Sequence, residues 1–269
     1  MGNTNAFDKK MRFEFSGLLS FPSFMSNDIF YNNIFNAIIR DDINAFKNIM
    51  IEDYITHNNY EIYRMAINRE AIQITQWFYY NGISINECNH FAICSASIAN
   101  KKFLQYIIDC GADVNYDNNF PLMYAGFDNN VDNIKLLLDH GAFFDENNFL
   151  ALTWYYINGN NFDMFKFLVD INNNFFINNP EIIKYCVRYN LYSYTKILLE
   201  IGANVNHIDM NDLACVIGKK KNMSLDLLKL LSDYDFNFDI LNNPNTKEAE
   251  YLDLLESQGV NMKFIALLS

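Results

Sequence analysis

Positive charge is scarce in this chain. Its 20 Lys and Arg stand against 32 Asp and Glu, giving a formal net charge of −12 over 269 residues. A nucleic-acid binder needs a basic face to displace counterions from phosphates. The only basic run, Lys219-Lys220-Lys221, reads as a solvated loop. Nucleic acid and anionic membrane are therefore disfavoured as partners. The acidity suits solubility, or a basic protein surface as target. Long apolar runs are also missing. Although 51% of the residues are hydrophobic, no stretch approaches the ~18 uninterrupted apolar residues of a membrane span. The N-terminus shows no basic region followed by an apolar run, so no secretory signal is expected. Ala6 stands where Ser or Thr follows a myristoylated Gly2, so an unmodified start is expected.

Cysteine is sparse, odd in number and scattered, at Cys88, Cys94, Cys110, Cys186 and Cys215. A chain of this length can bury a core without disulfide staples, so these read as reduced thiols in a cytosolic setting, packed as small hydrophobes. The ten glycines serve mostly as helix stops and form no phosphate-cradling loop. No nucleophile-elbow pattern is present. His57, His90, His140 and His207 lack the short paired spacings of a zinc site, and Cys88-Asn89-His90 with Cys94 is the nearest approach. The expectation is no enzyme, no cofactor, no metal and no small-molecule substrate. Asparagine, isoleucine, tyrosine, phenylalanine and lysine are all prominent. Their shared A/T-rich codons assign the asparagine clusters to coding bias, with little chemistry of their own.

What the chain has is an internal repeat. Cys110-Gly111-Ala112-Asp113-Val114-Asn115 and Ile201-Gly202-Ala203-Asn204-Val205-Asn206 are copies of one pattern, matched more loosely after Gly82 and Gly141. These four glycines lie 29, 30 and 61 residues apart. The long gap hides a diverged copy with Asn172 at the glycine position, where Asn is the next best residue for a left-handed backbone. Further copies are anchored near Asp53 and Tyr234.

Counting back from the seven anchors exposes a stripe. Seven residues before lie Phe46, Thr75, Leu104, Ile134, Phe165, Thr195 and Leu227. Four before lie Ile49, Phe78, Ile107, Leu137, Leu168, Leu198 and Leu230. Those offsets share one helical face. Sixteen before, Ala37, Ala66, Ser95, Ala125, Tyr156, Cys186 and Gly218 are small in all but one copy, which predicts a first helix packed closely on the second. Three after, Ile85, Val114, Phe144, Phe175 and Val205 open an extended, turn-forming linker. Asp132 is a candidate cap for the helix containing Ile134.

A unit of helix, turn, helix and loop over about 30 residues resembles the ankyrin repeat. The Gly-Ala-Asp-Val-Asn signature is matched at Gly111 to Asn115, and Phe120-Pro121-Leu122-Met123-Tyr124-Ala125 resembles the Thr-Pro-Leu-His-x-Ala signature. The resemblance implies an all-α, ankyrin-type solenoid of about seven helix-turn-helix repeats with N- and C-terminal caps. Residues 1–30 are expected to form a cap or arm, 31–240 the repeats and 241–269 a capping repeat, in one continuous solenoid domain. The spacing falls short of the family's usual 33 residues, so short loops are expected. Leu18 to Phe35 resembles the start of an F-box but is too short for a whole one, which leaves cap and docking arm as alternatives.

The resemblance further implies binding of another protein by the loop tips and the exposed face of the first helices. Carried over by position, the contact residues are Asn86, Glu87, Tyr116, Asp117, Asn118, Glu146, Asn147, Trp154, His207 and Met210. Divergent repeats and A/T-rich coding resemble ankyrin proteins of large DNA viruses of amoebae, with effectors of intracellular bacteria as the second source. Either implies work on a host protein inside the host cell; a monomer is expected, in the host cytoplasm or associated with the virion. The alternatives are an adaptor for a host ubiquitin ligase and a structural component of a viral particle.

Overall fold

The computed structural model describes residues 29–50, 59–209, 212–213 and 225–236. The expected caps at 1–30 and 241–269, most of the F-box-like stretch and Met210 lie outside the described residues. The chain is helical, and no β-strand occurs among the described residues. It divides into two units, Met1–Leu152 and Thr153–Ser269.

In the first unit the helices come in pairs: α1 (Ile29–Ile39) with α2 (Ile43–Ile49), α3 (Asn59–Asn68) with α4 (Ile72–Tyr80), α5 (Glu87–Ser97) with α6 (Lys101–Asp109), and α7 (Tyr116–Phe127) with α8 (Val131–Asp139). Helix α9 (Glu146–Asn158) follows and contains the division after Leu152. In the second unit follow α10 (Phe162–Ile171), α11 (Asn173–Asn178), α12 (Pro180–Arg188), α13 (Tyr192–Glu200), a 3-10 turn at Val205–His207 and α14 (Leu225–Asp233).

The predicted stripe is the core. Phe46, Thr75, Leu104, Ile134, Phe165, Thr195 and Leu227 are all fully buried. So are Phe78, Ile107, Leu137, Leu168 and Leu198 one turn further on. Burying each such large apolar side chain stabilises by about 1.5–3 kcal/mol. The small-residue column is buried too, from Ala37 and Ala66 to Ala125 and Cys186, and the oversized Tyr156 is equally enclosed.

Second helices stop in the predicted way. Gly82, Gly111, Gly141 and Gly202 have φ between 86° and 95°, a conformation glycine enters without penalty. Each stop makes the same two bonds, as when Gly141 N–H donates to Leu138 O at 3.0 Å and Ala142 N–H to Leu137 O at 2.9 Å. These occupy carbonyls the helix end would otherwise orphan.

Two predicted anchors need correction. Asn172 is not left-handed: its φ is −150°. Its side chain instead accepts the Phe175 N–H at 3.1 Å and starts α11, so a short helix replaces the extended linker expected around Phe175. The last anchor is Asp235 rather than Tyr234. Asp235 has φ 59°, and Asp235 N–H and Phe236 N–H donate to Ser232 O and Leu231 O, each at 3.1 Å. Asp235-Phe236-Asn237-Phe238-Asp239 is therefore the glycine-less copy of Gly-Ala-Asp-Val-Asn.

Asparagine does more than record codon usage, which corrects the sequence expectation. Asn129, Asn160 and Asn190 take left-handed φ of 59°, 51° and 55° at the turn between paired helices, a region that short polar side chains tolerate best after glycine. Asn100, Asn130 and Asn161 then cap the second helices. The cap of α8 is thus Asn130, which accepts Asn133 N–H at 3.1 Å, and Asp132 merely lies in the first turn.

Candidate interaction surface

Neighbouring repeats are stitched by polar side chains before any surface is left over for a partner. Asn86 Nδ2 donates to Gly111 O at 3.2 Å, and Asn115 Nδ2 to Gly141 O at 3.1 Å. Asp41 receives Gln73 N–H at 3.0 Å and Ile74 N–H at 3.1 Å, so one repeat caps the second helix of the next. That helix has no side-chain cap from its own N-cap residue, Ala71. Asn100 Nδ2 donates in the same way to Glu70 Oε2. Buried Asn133 donates to Ser97 O at 2.9 Å and Ala99 O at 2.7 Å. These carbonyls end α5, where the turn lacks a left-handed residue.

The predicted contact residues therefore separate into groups. Asn86 is half-buried and its amide serves the repeat ladder. Glu87 opens α5, and its side chain lies outside the described ones. Tyr116 is half-buried, while Asp117 and Asn118 are exposed at a turn where Asp117, Asn118 and Asn119 have φ of 46°, 57° and 67°. Asn148 Nδ2 clamps this turn through Asn118 O at 2.6 Å. The left-handed run restarts the helix just before Pro121, which explains how a proline is accommodated there. Glu146 and Asn147 are exposed in the first turn of α9, and His207 is exposed at the end of the 3-10 turn.

Trp154 has a setting the sequence did not reveal. In the second unit its half-buried indole meets Tyr185 with ring centroids 4.9 Å apart and planes at 64°. Tyr185 in turn lies 4.4 Å from Tyr189, and its hydroxyl donates to Asn158 Oδ1 at 2.8 Å. Burial raises the Tyr185 pKa above its ordinary value. Tyr155 and Tyr189 are 41% and 43% exposed, unusual for side chains of this size. Tyr155, Tyr185, Tyr189 and Asn158 were missed as candidates. The available signal was that Tyr155 and Tyr185 each stand seventeen residues before an anchor, Asn172 and Gly202.

The cations beside these rings are paired. Lys184 Nζ lies 3.2 Å from Glu181 and 3.8 Å from Asp209, and the hydrogen bond to Glu181 raises its pKa. Arg188 Nη2 lies 2.5 Å from the fully buried Asp212. Asp209 N–H also donates to Asp212, at 3.1 Å, so the buried carboxylate is satisfied from two sides.

Two of the expected small hydrophobes are confirmed. Cys94 and Cys186 are free and buried, and burial pushes the Cys94 thiol up to about 12. Such thiols make poor nucleophiles.

Comparison with known proteins agrees with the repeat geometry. The family model for ankyrin repeats, in three copies, matches residues 62–148. Three proteins of Acanthamoeba polyphaga mimivirus, each named as an ankyrin repeat protein, align with most of the chain. R599 is 26% identical over 238 residues, covering 83% of this chain and 64% of its own length. R601 is 28% identical over 279 residues, covering 89% of both. R598 is 24% identical over 281 residues, covering 96% of this chain and 84% of its own length. This chain thus spans just under two thirds of R599. Paired helices, glycine stops with a shared bonding scheme and a matching repeat profile show ankyrin repeats in this chain, which over most of its length is similar to ankyrin repeat proteins of a giant DNA virus of amoebae.

Proposed function

We propose that this chain is a protein–protein interaction module that binds a host protein in the cytoplasm of an infected cell, as a monomer and without catalysis. Ankyrin repeats are a protein-interaction fold in general. The observation that carries the reading for this chain is the placement of its large exposed side chains. The inward stripe is filled at every described repeat, yet Tyr80, Phe143, Tyr155 and Tyr189 are 80%, 58%, 41% and 43% exposed. Aromatic side chains supply contact area at low entropic cost and are favoured at interfaces. The net charge of −12 turns the choice of partner away from nucleic acid and toward basic protein surfaces.

The test is proximity labelling with the full chain fused to a biotin ligase in infected amoebae, followed by direct binding of purified candidates. A cytosolic host protein that binds the purified chain in a one-to-one complex supports the reading. Enrichment of particle proteins alone, or of a ubiquitin-ligase scaffold bound through residues 1–35, would replace it with a structural or adaptor role. Turnover of a captured protein by the purified chain would end the non-catalytic part.

A further inference from the structure

In the second unit Trp154, Tyr185 and Tyr189 form a run of touching rings on the first helices of two successive repeats. Tyr155 and Tyr185 occupy the same place in α9 and α12, one repeat apart. Trp154 packs on Tyr185, and Tyr185 on Tyr189. We propose that this row holds a cationic, arginine-containing segment of a partner protein, a deepening that rests on the interaction-module reading.

Three observations select that occupant. The first is charge. The ionisable groups that α12 brings beside the rings, together with their partners, are Glu181, Lys184, Arg188, Asp209 and Asp212. Both cations are committed to carboxylates. The Glu181 and Asp209 side chains remain 73% and 51% exposed, so an incoming cation meets accessible carboxylate. An anionic segment would face that rim and a chain of net charge −12.

The second is ring chemistry. Tyrosine and tryptophan faces carry negative electrostatic potential and attract cations. A guanidinium is planar, so it can stack on such a face while its edge donates to a carboxylate or a phenol oxygen. A purely aliphatic segment would strip water from the exposed Asn158 amide, which is costly.

The third is that the same chain already uses this contact. In the first unit the Arg64 guanidinium lies 4.6 Å from the centre of the Phe91 ring, and that of Arg69 lies 5.3 Å from Phe35. Both arginines follow or belong to first helix α3, and both rings belong to first helices of adjoining repeats. A partner's arginine on the second unit would repeat an arrangement the fold supports.

The test uses the full chain carrying Trp77→Phe, which leaves Trp154 as the sole tryptophan of the two. The probes are a short peptide alternating arginine with glycine, its citrulline counterpart and its glutamate counterpart. The arginine peptide is expected to bind and change Trp154 fluorescence, while the other two do not. Combining Tyr155→Ala with Tyr189→Ala should weaken binding about tenfold or more and keep the helical circular dichroism, with a lower melting temperature because Tyr189 gives up its contact with Tyr185. Tyr155→Phe with Tyr189→Phe should bind nearly as wild type. Equal binding of the citrulline peptide overturns the proposal. So does unaltered affinity of the alanine pair, or binding without a Trp154 signal, each of which reduces the effect to general attraction by an acidic protein. A host protein captured equally by wild type and the alanine pair leaves the module reading intact while this site falls. Absence of any directly bound protein sinks the module reading, whatever the peptides do.

Discussion

The side-chain amide of Asn115 donates to the carbonyl of Gly141, one repeat further along, at 3.1 Å. The bond joins the loop after one second helix to the stop of the next. Asn86 and Gly111 repeat it one unit earlier. The asparagine that closes the Gly-Ala-Asp-Val-Asn signature is thus a tie between repeats.

Replacing Asn115 by Ala should therefore cost about 1 kcal/mol, since the half-buried amide gives up its bond to the Gly141 carbonyl. Asn115→Asp cannot donate and should be at least as destabilising. Asn147→Ala, at an exposed helical position, should stay within about 0.5 kcal/mol of wild type. Urea denaturation of the three variants checks this, and equal midpoints for Asn115→Ala and Asn147→Ala would refute the tie.

Thr75 is fully buried and its hydroxyl has no hydrogen-bond partner. Five of the other six repeats place Phe, Leu or Ile at this position. Thr75→Val keeps the shape and removes the unpaired polar atom, so it should stabilise the fold by about 1 kcal/mol. A thermal melt reads the gain. The paired hydroxyl of Thr195, which donates to Leu191 O at 3.0 Å, makes Thr195→Val the matched comparison, with little or no gain.

Gly141 has φ 89°, and nothing lies within 4 Å of the place a Cβ would take. The cost of Gly141→Ala is therefore backbone strain alone, about 1 kcal/mol. Gly141→Asn should cost less, because asparagine tolerates positive φ better. A cost above about 3 kcal/mol for both would point to a contact the structure does not contain.

The Asp41 carboxylate caps α4 from the preceding repeat. Asp41→Ala should lower stability by about 1–2 kcal/mol. Hydrogen exchange should show the loss first at Gln73 and Ile74, thirty-two and thirty-three residues away in sequence. Exchange that changes only around residue 41 would refute the capping.

Burial holds the Cys94 thiol near 12, against an ordinary value of 9.0. A group with a raised folded pKa contributes stability that is complete below its unfolded pKa and declines as pH rises toward the folded one. Wild-type stability should therefore fall between about pH 9 and 12 more steeply than that of Cys94→Ala. The stability gap between the two proteins, followed by denaturation across that range, should narrow with rising pH. A gap independent of pH would refute the assignment.

Much of the fold was legible because the repeat states its core many times over. A single buried Leu104 is ambiguous, but Phe46, Thr75, Leu104 and Ile134 at one offset from a helix stop are not. The two anchors that went astray lacked glycine. At Asn172 the side chain found a use as a helix cap, which competed with the left-handed conformation. At Asp235 the stop survived with a different residue, one position from where periodicity placed it.

Contact residues were less legible. Asn86 had the right position for a tip but spends its amide on Gly111. Trp154 stood out by its rarity, whereas Tyr155, Tyr185 and Tyr189 were lost among 17 tyrosines. Tyr155 and Tyr185 share an offset from an anchor, whereas the contact between Tyr185 and Tyr189 is visible only in the structure.

By itself the sequence determined the helix pairs, the stripe each buries and the stops between them. Those follow from local backbone preference and from hydrophobic periodicity, which act within one repeat. The tertiary structure alone decided how side chains are shared between repeats. Asp41 capping a helix of its neighbour, Asn133 holding the end of α5 and Tyr185 resting between Trp154 and Tyr189 join residues up to 36 positions apart. Such pairings depend on distance and direction across the stack, and periodicity fixes only the face from which each side chain starts.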